Sequence, residues 1–236
     1  MTDAPTSSYL PWMTEGHEYF MSVLKRTGDE QLEGPSALPG WTGRHLLSHV
    51  GHNARALVRL AHWAATGEPT AMYPNPSARA EEIEAGALWP AARLRDFVED
   101  EQVRLSVALD RLTRARWQAQ VVTAQGRTVP ATTIPWLRSR ELWIHACDLP
   151  SGGDFAEFPH DFTDALIADA LTRRRTAQSV EVGVRATDRE TDAFPRGDLI
   201  VEGPSADLAR WLTGRGTSPH LRTTTGAPLP QLPPWL

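Results

Sequence analysis

The segment SRELWIHACDL, residues 139–149, sets a carboxylate, Glu141, and an imidazole, His145, four positions apart. On an α-helix each residue turns the chain by about 100°, so this spacing stacks the two side chains on one face, a turn apart. Both are good ligands for a divalent metal. Joined by a third ligand from another element, they make a centre with an open coordination position, as a catalytic zinc requires. Taken alone the pair is weak, because Glu-x-x-x-His spacings are common on solvated helix faces. The third ligand decides, and GRHLLSHVGHN upstream offers His45, His49 and His52. Asp148, three residues after His145, either orients a ligating imidazole from behind or simply closes its helix. Cys147, the only cysteine, lies off the Glu141–His145 face and reads as a buried structural thiol. No Gly-rich phosphate loop and no nucleophile-elbow serine accompany these residues.

Positioning these ligands falls to four long helical patterns in the first two-thirds of the chain. The first covers about residues 8–26, with Leu10, Met13, Phe20, Val23 and Leu24 as its apolar stripe. The second opens after LPGW, with Thr42 as N-cap, and ends before Gly67. A third segment, capped by Ser77, runs to about Leu112 and is broken or kinked at Pro90. VVTAQGRTVPATTIP is rich in β-branched residues and reads as a loop or short extended excursion. The fourth helix starts near Thr132 or Pro135 and reaches Asp148. Leu46, Val50, Leu57 and Ala61 mark the buried face of the second helix. His49 stands at the edge of that face, roughly 90° from its centre, while His45 and His52 point further round toward solvent. A bundle ligand must project inward. His49 is therefore the candidate partner for Glu141 and His145, and His45 and His52 are read as surface residues.

Beyond a Pro/Gly-rich linker, residues 150–159, the pattern changes. A helix over about 159–175 precedes VEVGVRAT, which alternates like a half-buried strand. DRETDAFPRG is turn-rich, DLIVEG is a second strand, and Ser205 caps a short amphipathic helix ending at Gly214 or Gly216. GAPLPQLPPWL is irregular. The fold class is α+β: a four-helix bundle over residues 1–150, then a small α/β domain over 158–236.

With 236 residues, 41% hydrophobic and 22% charged, the chain has an ordinary globular composition and can bury a proper core. A net charge of −5 speaks against a nucleic-acid partner, which needs a basic surface. No apolar run approaches the roughly 18 residues of a membrane span, so no membrane partner is expected. MTDAPTSSYLPW lacks the charged and apolar regions of a secretory leader. A single cysteine excludes an internal disulfide, and a cytoplasmic location is expected. Lys25 is the only lysine among 24 basic residues; arginine is the better carboxylate clamp because its planar fork donates two hydrogen bonds.

Three blocks, LPGWTGRHLLSHVGHNARAL, TAQGRTVPATTIPWLRSRELWIHACDL and LARWLTGRG, make the chain resemble the mycothiol-dependent maleylpyruvate isomerases, metalloproteins of the DinB-like four-helix-bundle superfamily. The bundle histidine with Glu-x-x-x-His marks the superfamily; TAQGRTVPA and RSRELWIHA mark the narrower group. The resemblance implies a DinB-like bundle followed by a small α/β domain. It places the metal triad on His49, Glu141 and His145, in agreement with the helical-face argument. It also implies anion-binding arginines at Arg79, in MYPNPSAR, and at Arg215, in GRG, the latter reaching the active site from the C-terminal domain. His52 stands where the family is associated with an aromatic residue.

The implied activity is cis–trans isomerisation of maleylpyruvate, a small dicarboxylate, to fumarylpyruvate, with mycothiol as a low-molecular-weight thiol cosubstrate. The donor set of two histidines and a glutamate suits zinc best among divalent metals. Two alternatives are compatible with the same triad: a thiol-dependent S-transferase and a non-catalytic metal-binding bundle.

Overall fold

The structure, a computed structural model, describes residues 7–175, 182–189, 194, 197 and 199–232. Val180 and Glu181 of the expected first strand, most of the turn-rich segment after it and the final four residues lie outside the described residues. The architecture is α+β, and the chain divides into two compact units, Met1–Gly153 and Asp154–Leu236.

The first unit is built on four long helices: α1 (Leu10–Arg26), α3 (Gly43–Thr66), α5 (Ala91–Asp110) and α7 (Ile134–Asp148). Short helices α2 (Asp29–Glu33), α4 (Ala78–Ala87) and α6 (Arg114–Trp117) fill the connections. α3 packs against α5, α4 and α7, and α1 packs against α7. Their apolar faces meet in one core that includes Phe20, Leu24, Leu46, Leu57, Leu94, Leu105 and Leu142. Gly51 allows α3 and α5 to approach closely: a Cβ there would stand 2.3 Å from the Phe97 ring.

Local chemistry sets the helix ends. Thr42 caps α3 as its sequence indicates, with its hydroxyl accepting from the His45 N–H at 3.4 Å. His45 Nδ1 in turn accepts from the Thr42 N–H at 3.2 Å, so this imidazole plays the reciprocal part usual for glutamate. His45 is thus a half-buried capping residue rather than a free surface one. Gly67 ends α3 at φ 85°, a left-handed conformation glycine adopts without penalty. At α4 the cap is Asn75 rather than the expected Ser77. Its Oδ1 accepts from the N–H groups of Ser77 and Ala78 at 3.0 and 2.8 Å. Pro90, extended at φ −54° and ψ 146°, separates α4 from α5 as its ring geometry requires. The β-branched stretch between α6 and α7 folds into a hairpin of β1 (Gln120–Val122) and β2 (Thr128–Pro130), antiparallel with Val121 opposite Val129.

In the second unit α8 (His160–Arg175) precedes β3 (Val182–Ala186), β4 (Leu199–Gly203), α9 (Ser205–Leu212) and β5 (Arg222–Thr223). β4 is central, parallel to β3 and antiparallel to β5, with Val184 opposite Val201 and Val201 opposite Thr223. Ser205 is the first residue of α9 rather than its cap. Asp188 takes that part, accepting from the Ser205 N–H and hydroxyl, each at 2.9 Å. Among the described residues no helix is long and apolar enough to cross a membrane.

A polar brace runs through the first unit at Arg138 on α7, which has no solvent exposure. Its Nε donates to Gln102 Oε1 on α5 at 2.9 Å, and its Nη1 donates to the Val50 carbonyl and Asn53 Oδ1 on α3 at 2.8 and 3.0 Å. Replacing it by Met would strip three buried acceptors of their donor. Arg138→Met is expected to lower the unfolding free energy by about 2–4 kcal/mol, read as a shifted urea midpoint; an unchanged midpoint would show that the brace is dispensable.

Candidate metal centre

The centre is assembled by two helices. α3 presents His49 inward one residue before Val50, whose carbonyl Arg138 holds. α7 presents Glu141 and His145 on the face that meets α3, one turn after Arg138. His49 Nε2 lies 2.8 Å from Glu141 Oε2 and 3.1 Å from His145 Nε2, and the latter is 3.2 Å from the same Glu141 oxygen. Bonds of roughly 2.0–2.2 Å to a tetrahedral zinc place neighbouring ligand atoms about 3.3 Å apart. The three atoms therefore match one face of such a coordination sphere with little rearrangement, and among the described residues they form the one such cluster of potential ligands. Three such ligands would leave the fourth vertex of the tetrahedron for an exogenous group.

Asp148 resolves the alternatives left by its position. It is fully buried, and its Oδ2 accepts from His145 Nδ1 at 2.8 Å. The proton is thereby fixed on Nδ1, which turns the Nε2 lone pair toward His49 and Glu141. The end of α7 is also tied to the entry of α3, since the Asp148 carbonyl accepts from the Ala37 N–H at 3.0 Å. Trp41, at the end of the same entry loop, lies with its ring 5.4 Å from that of His49.

The electrostatics follow from burial opposed by pairing. Burial disfavours the Glu141 charge, yet hydrogen bonds from His145 and His49 outweigh it and hold the carboxyl well below the usual range. Burial pushes His49 down to about 4, despite the opposing pull of Glu141. His145 is also penalised by burial, but Asp148 and Glu141 together raise it above an ordinary imidazole. A carboxylate that stays ionised and a neutral His49 are the forms a metal needs.

Arg79, at the start of α4, reaches the cluster: its Nη2 lies 3.4 Å from His49 Nδ1. α4 is seated for this by Ser48 Oγ on α3, which donates to the Ile83 carbonyl at 2.9 Å, and by Gly86, where a Cβ would collide with that hydroxyl. Arg215 belongs to the second unit, in the turn after α9, where its Nη1 donates to the Thr213 carbonyl at 2.7 Å. His52, expected at the surface, is buried at 6% exposure. Its ring lies 4.8 Å from that of Phe97 and its Nδ1 3.5 Å from the Glu82 carboxylate. The reason is tertiary: α4 and α5 cover the face of α3 that a bundle without α4 leaves to solvent. Cys147 is half-buried rather than buried, with its Sγ 3.8 Å from the Trp143 carbonyl. Arg138, which the sequence did not single out, also bears on the centre. For Arg138 the available signal was its place on the Glu141 face, three residues upstream.

Residues 13–150 match the family model described as the mycothiol maleylpyruvate isomerase N-terminal domain. The whole chain is similar to a crystal structure of the mycothiol-dependent maleylpyruvate isomerase, at 34% identity over 98% of this chain and 97% of that one, with a TM-score of 0.90. The chain belongs to the mycothiol-dependent maleylpyruvate isomerase family. A histidine-to-alanine mutant of that isomerase matches over the same shares, at 34% identity and a TM-score of 0.89. No curated protein matched the sequence. For this member of the isomerase family, the structural likeness extends over both units, so the second unit is as much a part of the family architecture as the bundle.

Binding of a metal at His145 Nε2 would displace the second proton that Asp148 and Glu141 favour on this ring, while the Nδ1 proton stays on Asp148's side. Affinity is therefore expected to fall as pH drops through the raised His145 value and to level off above it, with proton release measurable by calorimetry in buffers of different ionisation enthalpy. Asp148→Asn is expected to weaken metal binding by about 10–100-fold in competition with a chromophoric chelator; unchanged affinity would deny Asp148 its orienting role.

Proposed function

We propose that this protein isomerises maleylpyruvate to fumarylpyruvate, using mycothiol as a thiol cosubstrate. The observation that supports this most directly is the inward-facing cluster of His49, Glu141 and His145 in a chain of this family. Rotation about a cis alkene is prohibitive until the double bond is made single. Addition of a thiolate does this, and its elimination after rotation restores the alkene in the trans form. A thiol of ordinary pKa, about 8.5, is only slightly ionised at neutral pH. A divalent metal held by His49, Glu141 and His145, zinc by the chemistry of this donor set, supplies a Lewis acid that keeps the thiol ionised. The protein's own residues do the rest. Glu141 brings a fixed negative charge to the centre, Asp148 holds the His145 ring in its ligating orientation, and Trp41 walls the His49 side. Arg79 and Arg215 are assigned to the anionic groups of substrate and thiol, where a guanidinium fork fits a carboxylate. Cys147 directs its thiol at the Trp143 carbonyl, so the nucleophile is borrowed. The partners are thus two small molecules, with no nucleic acid, and the setting is the cytoplasm, where a low-molecular-weight thiol stays reduced.

The test is the loss of maleylpyruvate absorbance with metal-loaded protein and mycothiol, glutathione or no thiol. Turnover with mycothiol alone, yielding fumarylpyruvate, is expected; chelation should abolish it and zinc restore it. His49→Ala should lose both metal and activity, by more than the roughly 10–100-fold cost of removing an outer partner. No turnover with any thiol sinks the proposal, and a stable thioether product would mark an S-transferase instead.

A further inference from the structure

Arg79 is exposed at the start of α4, so the place of its guanidinium beside His49 is set by how α4 is seated rather than by burial of the arginine itself. Apolar packing is a small part of that seat. Ile83 is the one large apolar side chain this ten-residue helix buries, beside Ala78, Gly86 and Ala87. A helix of this length is marginal in water without tertiary support. The remaining hold is polar and converges on Glu82, about one turn after Arg79. Ser48 Oγ on α3 lies 3.3 Å from the Glu82 carbonyl as well as 2.9 Å from that of Ile83. Arg59, also on α3, donates through Nη2 to Glu82 Oε1 at 3.4 Å and through Nη1 to the Met72 carbonyl at 2.5 Å. The buried Met72 side chain is held in turn, its sulfur accepting from the Ala124 N–H at 3.1 Å. One guanidinium thus pins both the loop that enters α4 and a carboxylate on the helix itself.

The other carboxylate oxygen faces His52. Nδ1 of that ring stands 3.5 Å from Glu82 Oε2, and the ring packs against those of Phe97, at 4.8 Å, and Trp89, at 6.2 Å. The separation is longer than a normal hydrogen bond. Glu82 Oε2 and both His52 nitrogens are accordingly buried with no hydrogen-bond partner among the described residues. Burial pushes the His52 imidazole down against the pull of Glu82, so the ring is neutral at pH 7. Arg59 therefore supplies the counter-charge to Glu82. Charge, rather than a closed set of hydrogen bonds, holds this carboxylate and with it the start of α4. A neutral amide in its place would keep the shape and an oxygen for Arg59, and would lose the attraction.

We propose that Glu82 is a positioning residue for Arg79, clasped by Arg59 so that α4 presents the Arg79 guanidinium to a substrate carboxylate beside the metal centre. This role rests on the assignment of Arg79 to anionic groups, and the experiment separates the two. The probe is maleate, a cis dicarboxylate, titrated by calorimetry into metal-loaded protein without thiol. Arg79→Ala and Glu82→Gln should each weaken its binding by about 10-fold, and the double variant should bind no more weakly than Arg79→Ala alone, as for residues that act through one another. With maleylpyruvate and mycothiol, the Glu82→Gln loss should appear in KM for maleylpyruvate rather than in kcat. Metal affinity of Glu82→Gln should match the wild type, which a general loosening of the bundle would not leave intact. Losses that add in the double variant, full maleate binding by Glu82→Gln, or a metal affinity that falls with it would each overturn the role. If maleate does not bind, or binds Arg79→Ala as well as the wild type, the anion assignment of Arg79 fails instead. Nitrogen relaxation of the Arg79 backbone amide then still decides for Glu82. Greater mobility in Glu82→Gln supports its seating of this residue, and unchanged mobility overturns it.

Discussion

Arg138 carries a full positive charge into the middle of the helical unit, and burial lowers its pKa only to about 10, so the charge persists at neutral pH. Charges so placed are costly unless their hydrogen bonds are met. Here Nε and Nη1 are met by groups on two other helices while Nη2 is left buried without a partner among the described residues, and the nearby Glu141 carboxylate supports the charge electrostatically. The ligand geometry depends on this arrangement. Val50, whose carbonyl the guanidinium holds, follows His49 directly, and Glu141 comes one turn after Arg138. Sliding α7 by a turn against α3 would break the brace and the cluster together. A packed apolar seam tolerates small slips; a fork of directed hydrogen bonds does not.

Around that brace, the centre is arranged in order of decreasing burial. Asp148 is sealed off and accepts from His145, fixing that ring's orientation. His49 and His145 are buried, and Glu141 keeps a small exposed fraction. Arg79 and the ring of Trp41, both less buried, stand against His49. Buried groups thus sit behind the candidate ligands and more exposed ones before them.

The sequence showed those features that are local and periodic. Apolar spacing revealed the four long helices, Thr42 announced the start of α3, and Glu141 with His145 could be paired by helical geometry alone. His49 was separable from its neighbours because the α3 core face is well marked. What failed depended on elements whose placement is not periodic. His52 looks solvent-facing on a helical wheel, and only the packing of α4 and α5 on α3 buries it. Asn75 and Asp188 cap helices from outside the positions where a cap is read from spacing. Arg138 was not singled out, because nothing in a single sequence tells which charged residue will find three acceptors inside. In the second unit the parallel pairing of β3 and β4 was equally hidden, since strand patterns reveal faces and not partners.

The loop between α3 and α4 is fastened near its middle, at Met72, by Arg59 from α3 and by the Ala124 backbone. A strap pinned at its centre cannot lift as one flap; it bends as two short, stiff spans. Tyr73 lies just beyond the pin, and Asn75 soon ends the second span by capping α4. Thermal motion at Tyr73 is therefore damped from both sides, and the free energy of ordering this segment is spent once, on folding the chain.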